Sequence, residues 1–330
     1  MMAWVAATSV ALALLPGCTK QNPAPVAGES LPIGFGSATL AGTEASGTKA
    51  GGSDFGQDFV VCGIKTLSPG ENQFVFPGYK VKYQDHTYEY ISGSQTVRYW
   101  DPSASSYTFW GFSPTNKAEV LLSDETALTD EMTPSGAQSF YYADVKTVLP
   151  SAFGNQVCMS FGKLGSKVRF GFYETLDGMG IKNLSFSVSG HFLTKARYIL
   201  SSQGIALESS SMDDKLTVDP LMCTLQSGHG EPTVTAWQPV LPLVDTDITV
   251  TIESCTFTKD GSDKTMPLVN PITVRVPQEY SHWNPNREYT YVFQISSVDE
   301  DFNQIIFSFD HQIIQDWVDN GAETIYDFQP

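Results

Sequence analysis

The chain has 330 residues, with 19 Lys and Arg against 36 Asp and Glu, and a formal net charge of −17. Its 20 Phe, 14 Tyr and 6 Trp exclude an intrinsically disordered chain, and the acidic balance excludes nucleic acid as a partner, since phosphate backbones require clustered Lys and Arg. The length accommodates about two domains, each able to bury a core of its own.

Ala3 to Leu15 form an uncharged apolar run of 13 residues, too short to span a bilayer but suited to the core of a signal peptide. The run ends in Leu15-Pro16-Gly17-Cys18 and polar Thr19-Lys20-Gln21-Asn22 follow at once. Leu at −3, a small residue at −1 and Cys at +1 make a bacterial lipobox, so residues 1–17 read as a lipoprotein signal and Cys18 as the lipidated residue. The alternative is an ordinary secretory signal that contains a cysteine. No Lys or Arg precedes the apolar run, and no later run reaches 18 apolar residues.

Residues 18–52 are rich in Ala, Gly, Ser, Thr and Pro, and read as a propeptide or linker. They carry one weak strand, in which Leu31, Ile33 and Phe35 alternate with smaller residues. From residue 53 onward, short β-branched and aromatic strand-like runs are punctuated by Gly, Pro and Asn, as in FVVCGI, TVRYWD at 96–101, SYTFWGF, SKVRFGFYE and REYTYVFQISSV. Only 117–132 and 139–149 look helical. Strands at this spacing without intervening helices predict an all-β chain of two tandem antiparallel β-sandwiches. Their expected spans are 53–177 and 178–330, joined at the glycine-punctuated Asp177-Gly178-Met179-Gly180.

Cys62, Cys158, Cys223 and Cys255 permit at most two disulfides in an oxidising compartment, with three connectivities. Each sits in an apolar strand-like run, which favours unpaired buried thiols.

Catalytic and metal signals are weak. Ser160-Phe161-Gly162-Lys163 has Ser-x-x-Lys spacing without its usual companions. The histidines at 86, 191, 229, 282 and 311 lack i, i+2 or i, i+4 partners, so neither a metal nor another cofactor is expected. Asp299-Glu300-Asp301-Phe302-Asn303 opens like a calcium loop, but Gln304 stands where Gly is needed, so a polar turn explains it better. Tyr79, Tyr83, Tyr88, Tyr90, Tyr99 and Trp100 could form a sugar-stacking platform, although their alternation with polar residues favours packing between sheets. No catalytic constellation is present, and the chain reads as a non-enzyme.

Several stretches, taken in order, resemble the fimbrillin (Mfa-like, FimA-type) lipoproteins of Bacteroidia. These are the lipobox Cys18, the segment Gly47-Thr48-Lys49-Ala50-Gly51, VRYWDPSASSYTFWGFSP, MSFGKLGSKVRFGF, and HWNPNREYTYVFQI with its final IIQDW. The resemblance implies two transthyretin-like sandwiches, export as an outer-membrane lipoprotein and cleavage between Lys49 and Ala50. It further implies polymerisation by strand donation with other fimbrial subunits, and adhesion to a host or bacterial surface receptor. Residues 312–330 would supply the donor. The competing reading is a glycan-binding surface lipoprotein.

Overall fold

The computed structural model describes residues 31–40, 58–68, 70–84, 87–90, 93–121, 125–242, 247–267, 272–298, 305–317 and 325–326. The described chain is built almost wholly of strands, arranged as three sheets. In the first sheet the order is Phe35–Leu40, Val157–Lys163, Tyr141–Ala143, Ser106–Ser113, Phe59–Ser68, Glu71–Gln84 and Thr87–Tyr90, with Lys146–Val148 alongside Ser106–Ser113. A second sheet centres on Ser166–Glu174, Arg287–Val298 and Ile305–Asp316, and a third on Thr249–Lys259 and the long strand Met179–Ser201.

Burial explains why Phe59–Ser68 reads as a continuous apolar run rather than an alternating one. Phe59 and Val61 enter a core enclosed by the first sheet itself. Val60, Cys62 and Ile64 point the other way, into a core shared with the second and third sheets. A strand buried on both faces has no polar side to alternate with. Strand Ala118–Leu121 of the third sheet covers the back of the first, and a Cβ on Gly78 would stand 2.6 Å from Val120 Cγ2. Gly78 also has φ of +77°, so an L side chain there would meet both a clash and a strained backbone.

The segments expected to be helical are strands: Ala118–Leu121, Thr126–Thr129, Tyr141–Ala143 and Lys146–Val148. Each is too short to sustain a helix by itself, and each finds a sheet partner, as in Ala127 opposite Leu200 and Tyr142 opposite Phe112. Tertiary pairing overrides local propensity here. A single α-helical turn, Pro134–Ala137, is capped by Thr133, whose Oγ1 accepts the Gly136 N–H at 3.2 Å.

The chain passes from the first sheet to the second between Lys163 and Ser166, ahead of the 177–180 junction expected from sequence. Residues 175–178 instead join Ser166–Glu174 to Met179–Ser201. Two long pairings also depart from a purely antiparallel plan. Phe35–Leu40 runs parallel to Val157–Lys163, and Ser166–Glu174 runs parallel to Arg287–Val298.

The C-terminal hairpin matches its sequence pattern. Tyr289, Tyr291, Phe293 and Ile295 are fully buried, as is Ile305, and Phe307 nearly so. The Trp-x-Pro-x-x-x-Tyr-x-Tyr block is a hydrogen-bonded lock. Trp283 Nε1 donates to Tyr291 Oη at 2.9 Å, Tyr291 Oη donates to the Tyr280 carbonyl at 2.7 Å, and the Asn284 N–H donates to Tyr289 Oη at 2.6 Å. The buried polar atoms of Trp283, Tyr289 and Tyr291 are thereby satisfied, which offsets the cost of burying them.

Among the cysteines, Cys62 and Cys255 are buried free thiols, and burial pushes both up to about 12, so they pack as small hydrophobes. Cys223 is free and exposed. Cys158 departs from the expectation of unpaired thiols and is disulfide-bonded.

The strand groove as candidate functional site

The strand Phe35–Leu40 and the residues leading into it occupy a slot in the first sheet. On one side its partners are Phe35 with Val157, Ala38 with Met159, Thr39 with Ser160 and Leu40 with Phe161, and the Val157 N–H donates to the Gly34 carbonyl at 2.8 Å. On the other side the Ile33 N–H donates to the Arg98 carbonyl at 2.7 Å, and the Trp100 N–H donates to the Leu31 carbonyl at 2.9 Å. Further along, the Ala38 N–H donates to Tyr88 Oη at 3.0 Å. The strand therefore bridges the two ends of a curled sheet, reaching from Val157–Lys163 to the Thr87–Tyr90 edge.

Its side chains complete the first core. Ile33 and Phe35 are 1% and 3% exposed. The Phe35 ring meets Phe59, Phe76 and Phe109 edge-on, with centroids 5.8, 5.7 and 6.1 Å away. Burying two such side chains stabilises the closed arrangement by roughly 1.5–3 kcal/mol each. Leu31 packs partly buried beside Gly154, where an added Cβ would stand 2.6 Å from Leu31 Cδ1. The three alternating residues singled out from sequence are the ones that fill the slot.

The walls were not legible beforehand. Arg98–Trp100 read as part of a strand, yet among the described residues it makes only the Pro32–Tyr99 bridge, and the Arg98 carbonyl and Trp100 N–H bond to the inserted segment. Trp100 lies beneath it, 4% exposed and stacked on Phe153 at 4.7 Å. Asp101 ties this wall down. Its carboxylate takes Lys65 Nζ at 2.6 Å and caps the Ser103 N–H at 2.9 Å, and these partners hold it at about 2.

Other sequence candidates separate in space. Ser160 and Lys163 share a strand at an odd spacing, so they face opposite ways. Lys163 is 8% exposed, and its ammonium lies 4.6 Å from the Trp317 ring centroid. Tyr79 and Trp100 are buried and Tyr83 packs on Tyr88 at 4.8 Å, which leaves Tyr99, 51% exposed, without an aromatic row among the described residues. Cys18, Lys49, Ala50 and the 299–304 loop lie outside the described residues.

No protein-family model matches the sequence, and no curated protein does. Among solved structures, the chain is similar to a fimbrial protein from Bacteroides vulgatus, with a TM-score of 0.52 and 13% identity over 87% of this chain and 100% of that one. It is also similar to a protein ascribed to cell adhesion from Bacteroides uniformis, with a TM-score of 0.42 and 15% identity over 89% of this chain and 100% of that one. A fimbrial assembly protein from Parabacteroides distasonis gives 0.37 and 13% identity over 90% and 100%. The Bacteroides vulgatus protein shares the all-β fold of this chain, in agreement with the resemblance drawn from sequence motifs.

Proposed function

We propose that the chain is a structural subunit of a cell-surface fimbria with a role in adhesion, that it is not an enzyme, and that it polymerises by strand donation once its N-terminal strand has been cut away. The observation that carries this reading is the inserted segment 31–40: Leu31 and Ile33 bond to the Arg98–Trp100 wall, Phe35–Leu40 pairs with Val157–Phe161, and Ile33 and Phe35 are buried, while residues 41–57 connect the segment to the sheet it fills. Its removal leaves a slot with unpaired N–H and C=O groups and vacated apolar pockets, which is a template for an extended segment from another molecule. A contact of this kind is head-to-tail, so it propagates instead of closing. The similar proteins described as fimbrial support the same reading. The glycan-binding alternative is disfavoured by the burial of Tyr79 and Trp100.

Electron microscopy of the purified chain before and after limited trypsin treatment tests the proposal. Monomers are expected before and filaments after; monomers under both conditions would count against polymerisation by cleavage.

The proposed anchor is a diacylglyceryl group on Cys18, at the outer membrane. Cys18→Ser should abolish labelling by a radiolabelled fatty acid and move the protein out of the membrane fraction, and retained labelling would refute the anchor.

A further inference from the structure

A small cationic pocket opens at the end of the groove where the inserted segment enters. Lys65, Gln73, Arg98 and Tyr99 are among the residues lining a cavity of about 280 Å³. Arg98 belongs to pocket and groove alike, because its carbonyl holds the Ile33 N–H at 2.7 Å and the residue lines the cavity. Its guanidinium carbon lies 5.3 Å from the Tyr79 ring centroid, and its Nε is buried with no acceptor among the described residues. Lys65 is paired with Asp101 at 2.6 Å, so the pocket keeps an excess of one positive charge in a chain of net −17. A buried guanidinium donor without an acceptor costs stability unless an acceptor arrives at another stage.

The resident segment offers no charged acceptor. Residues 31–40, LPIGFGSATL, contain no charged side chain. The segment that follows the last core strand is the opposite. Residues 318–330, VDNGAETIYDFQP, carry Asp319, Glu323 and Asp327 and no Lys or Arg. An acidic segment approaching an acidic protein is repelled over most of the surface, so a local cationic site at the groove mouth would decide where it docks.

We infer that the Lys65–Arg98 pocket is a carboxylate subsite of the groove, taking an acidic side chain from residues 319–330 of a second copy when that segment replaces the resident strand. This rests on the strand donation proposed above and adds a charge preference to it. The resident segment closes the groove by apolar contacts and backbone hydrogen bonds, whereas the incoming segment adds a charge-assisted hydrogen bond that an uncharged resident cannot make. Exchange is then favoured in one direction, and more strongly at low ionic strength.

The test uses the full chain nicked after Lys49 and a fluorescein-labelled synthetic peptide of residues 318–330, read by fluorescence polarisation at low and high salt. The acidic peptide should bind, and lose roughly tenfold or more in affinity to Arg98→Gln, the loss expected for one charge-assisted hydrogen bond. Lys65→Gln should weaken binding in the same direction. A peptide carrying Asp319→Asn, Glu323→Gln and Asp327→Asn should bind at least about tenfold more weakly and ignore both salt and Arg98→Gln. Ile33 bonds to Arg98 through the backbone, so the Gln variant keeps the wall, and an unchanged circular dichroism melt confirms it. If the neutral peptide binds as tightly as the acidic one, the carboxylate subsite is overturned while strand donation stands. If neither peptide binds, both are overturned.

Discussion

Deleting residues 318–330 is expected to leave a folded monomer that no longer forms filaments, whereas deleting residues 312–330 is expected to unfold the second and third sheets. Sequence reasoning placed the donor at 312–330, but the structure divides that stretch. Residues 312–316 complete a strand that pairs from Arg287 opposite Asp316 through Val298 opposite Ile305. Gln312 is 4% exposed, with its Nε2 donating to the Tyr280 carbonyl at 3.0 Å, and Gln315 is 6% exposed. Arg287 forms an ion pair with Asp316. Trp317 seals the end, its ring 4.6 Å from Lys163 Nζ and 4.7 Å from Lys167 Nζ, while its N–H donates to the Asn286 carbonyl at 3.1 Å. Cation–π contacts of this kind contribute about 0.5–2 kcal/mol each, and an unpaired buried polar group costs about 1–3 kcal/mol. Removing them together approaches the whole 5–15 kcal/mol stability of a typical domain. Beyond Trp317, the described pairing is only Ile314 with Tyr326 and Gln315 with Ile325, at the sheet's outer edge. Circular dichroism melts of the two truncations separate the cases. A melt unchanged by loss of 312–330 would refute the structural role of that strand, and filaments from the 318–330 deletion would refute C-terminal donation.

Much of the strand layout was legible because its signals are local. Ser166–Glu174 and Arg287–Val298 carry β-branched and aromatic residues between turn residues, and their bounds are those read from sequence. Ile33 and Phe35 were legible as an alternating pair for the same reason. What failed was non-local. Nothing in LPIGFGSATL says that its partner is Val157–Lys163 or that the pairing is parallel, since register depends on a strand more than a hundred residues away. The Arg98–Trp100 wall was misread as a strand because its residues have high β-propensity, and only the occupant of the groove explains where its backbone groups go. Residues 117–132 looked helical because the strand that holds Thr126–Thr129 in its sheet, Met179–Ser201, comes much later in the chain. The Lys65–Arg98 pocket left no sequence signal at all, for its residues come from four separate segments.

Lys49→Ala is expected to remain a full-length monomer without filaments, while the wild type loses its N-terminal segment and begins at Ala50. The reasoning is competition between two occupants of one groove. A tethered resident strand acts at an effective concentration on the order of millimolar, above any realistic concentration of neighbouring subunits. Cutting after Lys49 removes that advantage without touching a single contact in the groove. A second variant separates this switch from a spacer role for 18–52. Phe35 is 3% exposed and meets three phenylalanine rings, so Phe35→Ala should weaken the resident strand by about 3–5 kcal/mol. Because each 1.4 kcal/mol is tenfold, the lower figure alone reduces a millimolar advantage to roughly ten micromolar. Uncleavable Lys49→Ala combined with Phe35→Ala should therefore assemble slowly at micromolar concentration, where Lys49→Ala alone does not. Filaments from Lys49→Ala alone would show that cleavage is not the switch. Absence of filaments from the double variant, with its circular dichroism spectrum intact, would show that the resident strand is not what blocks assembly.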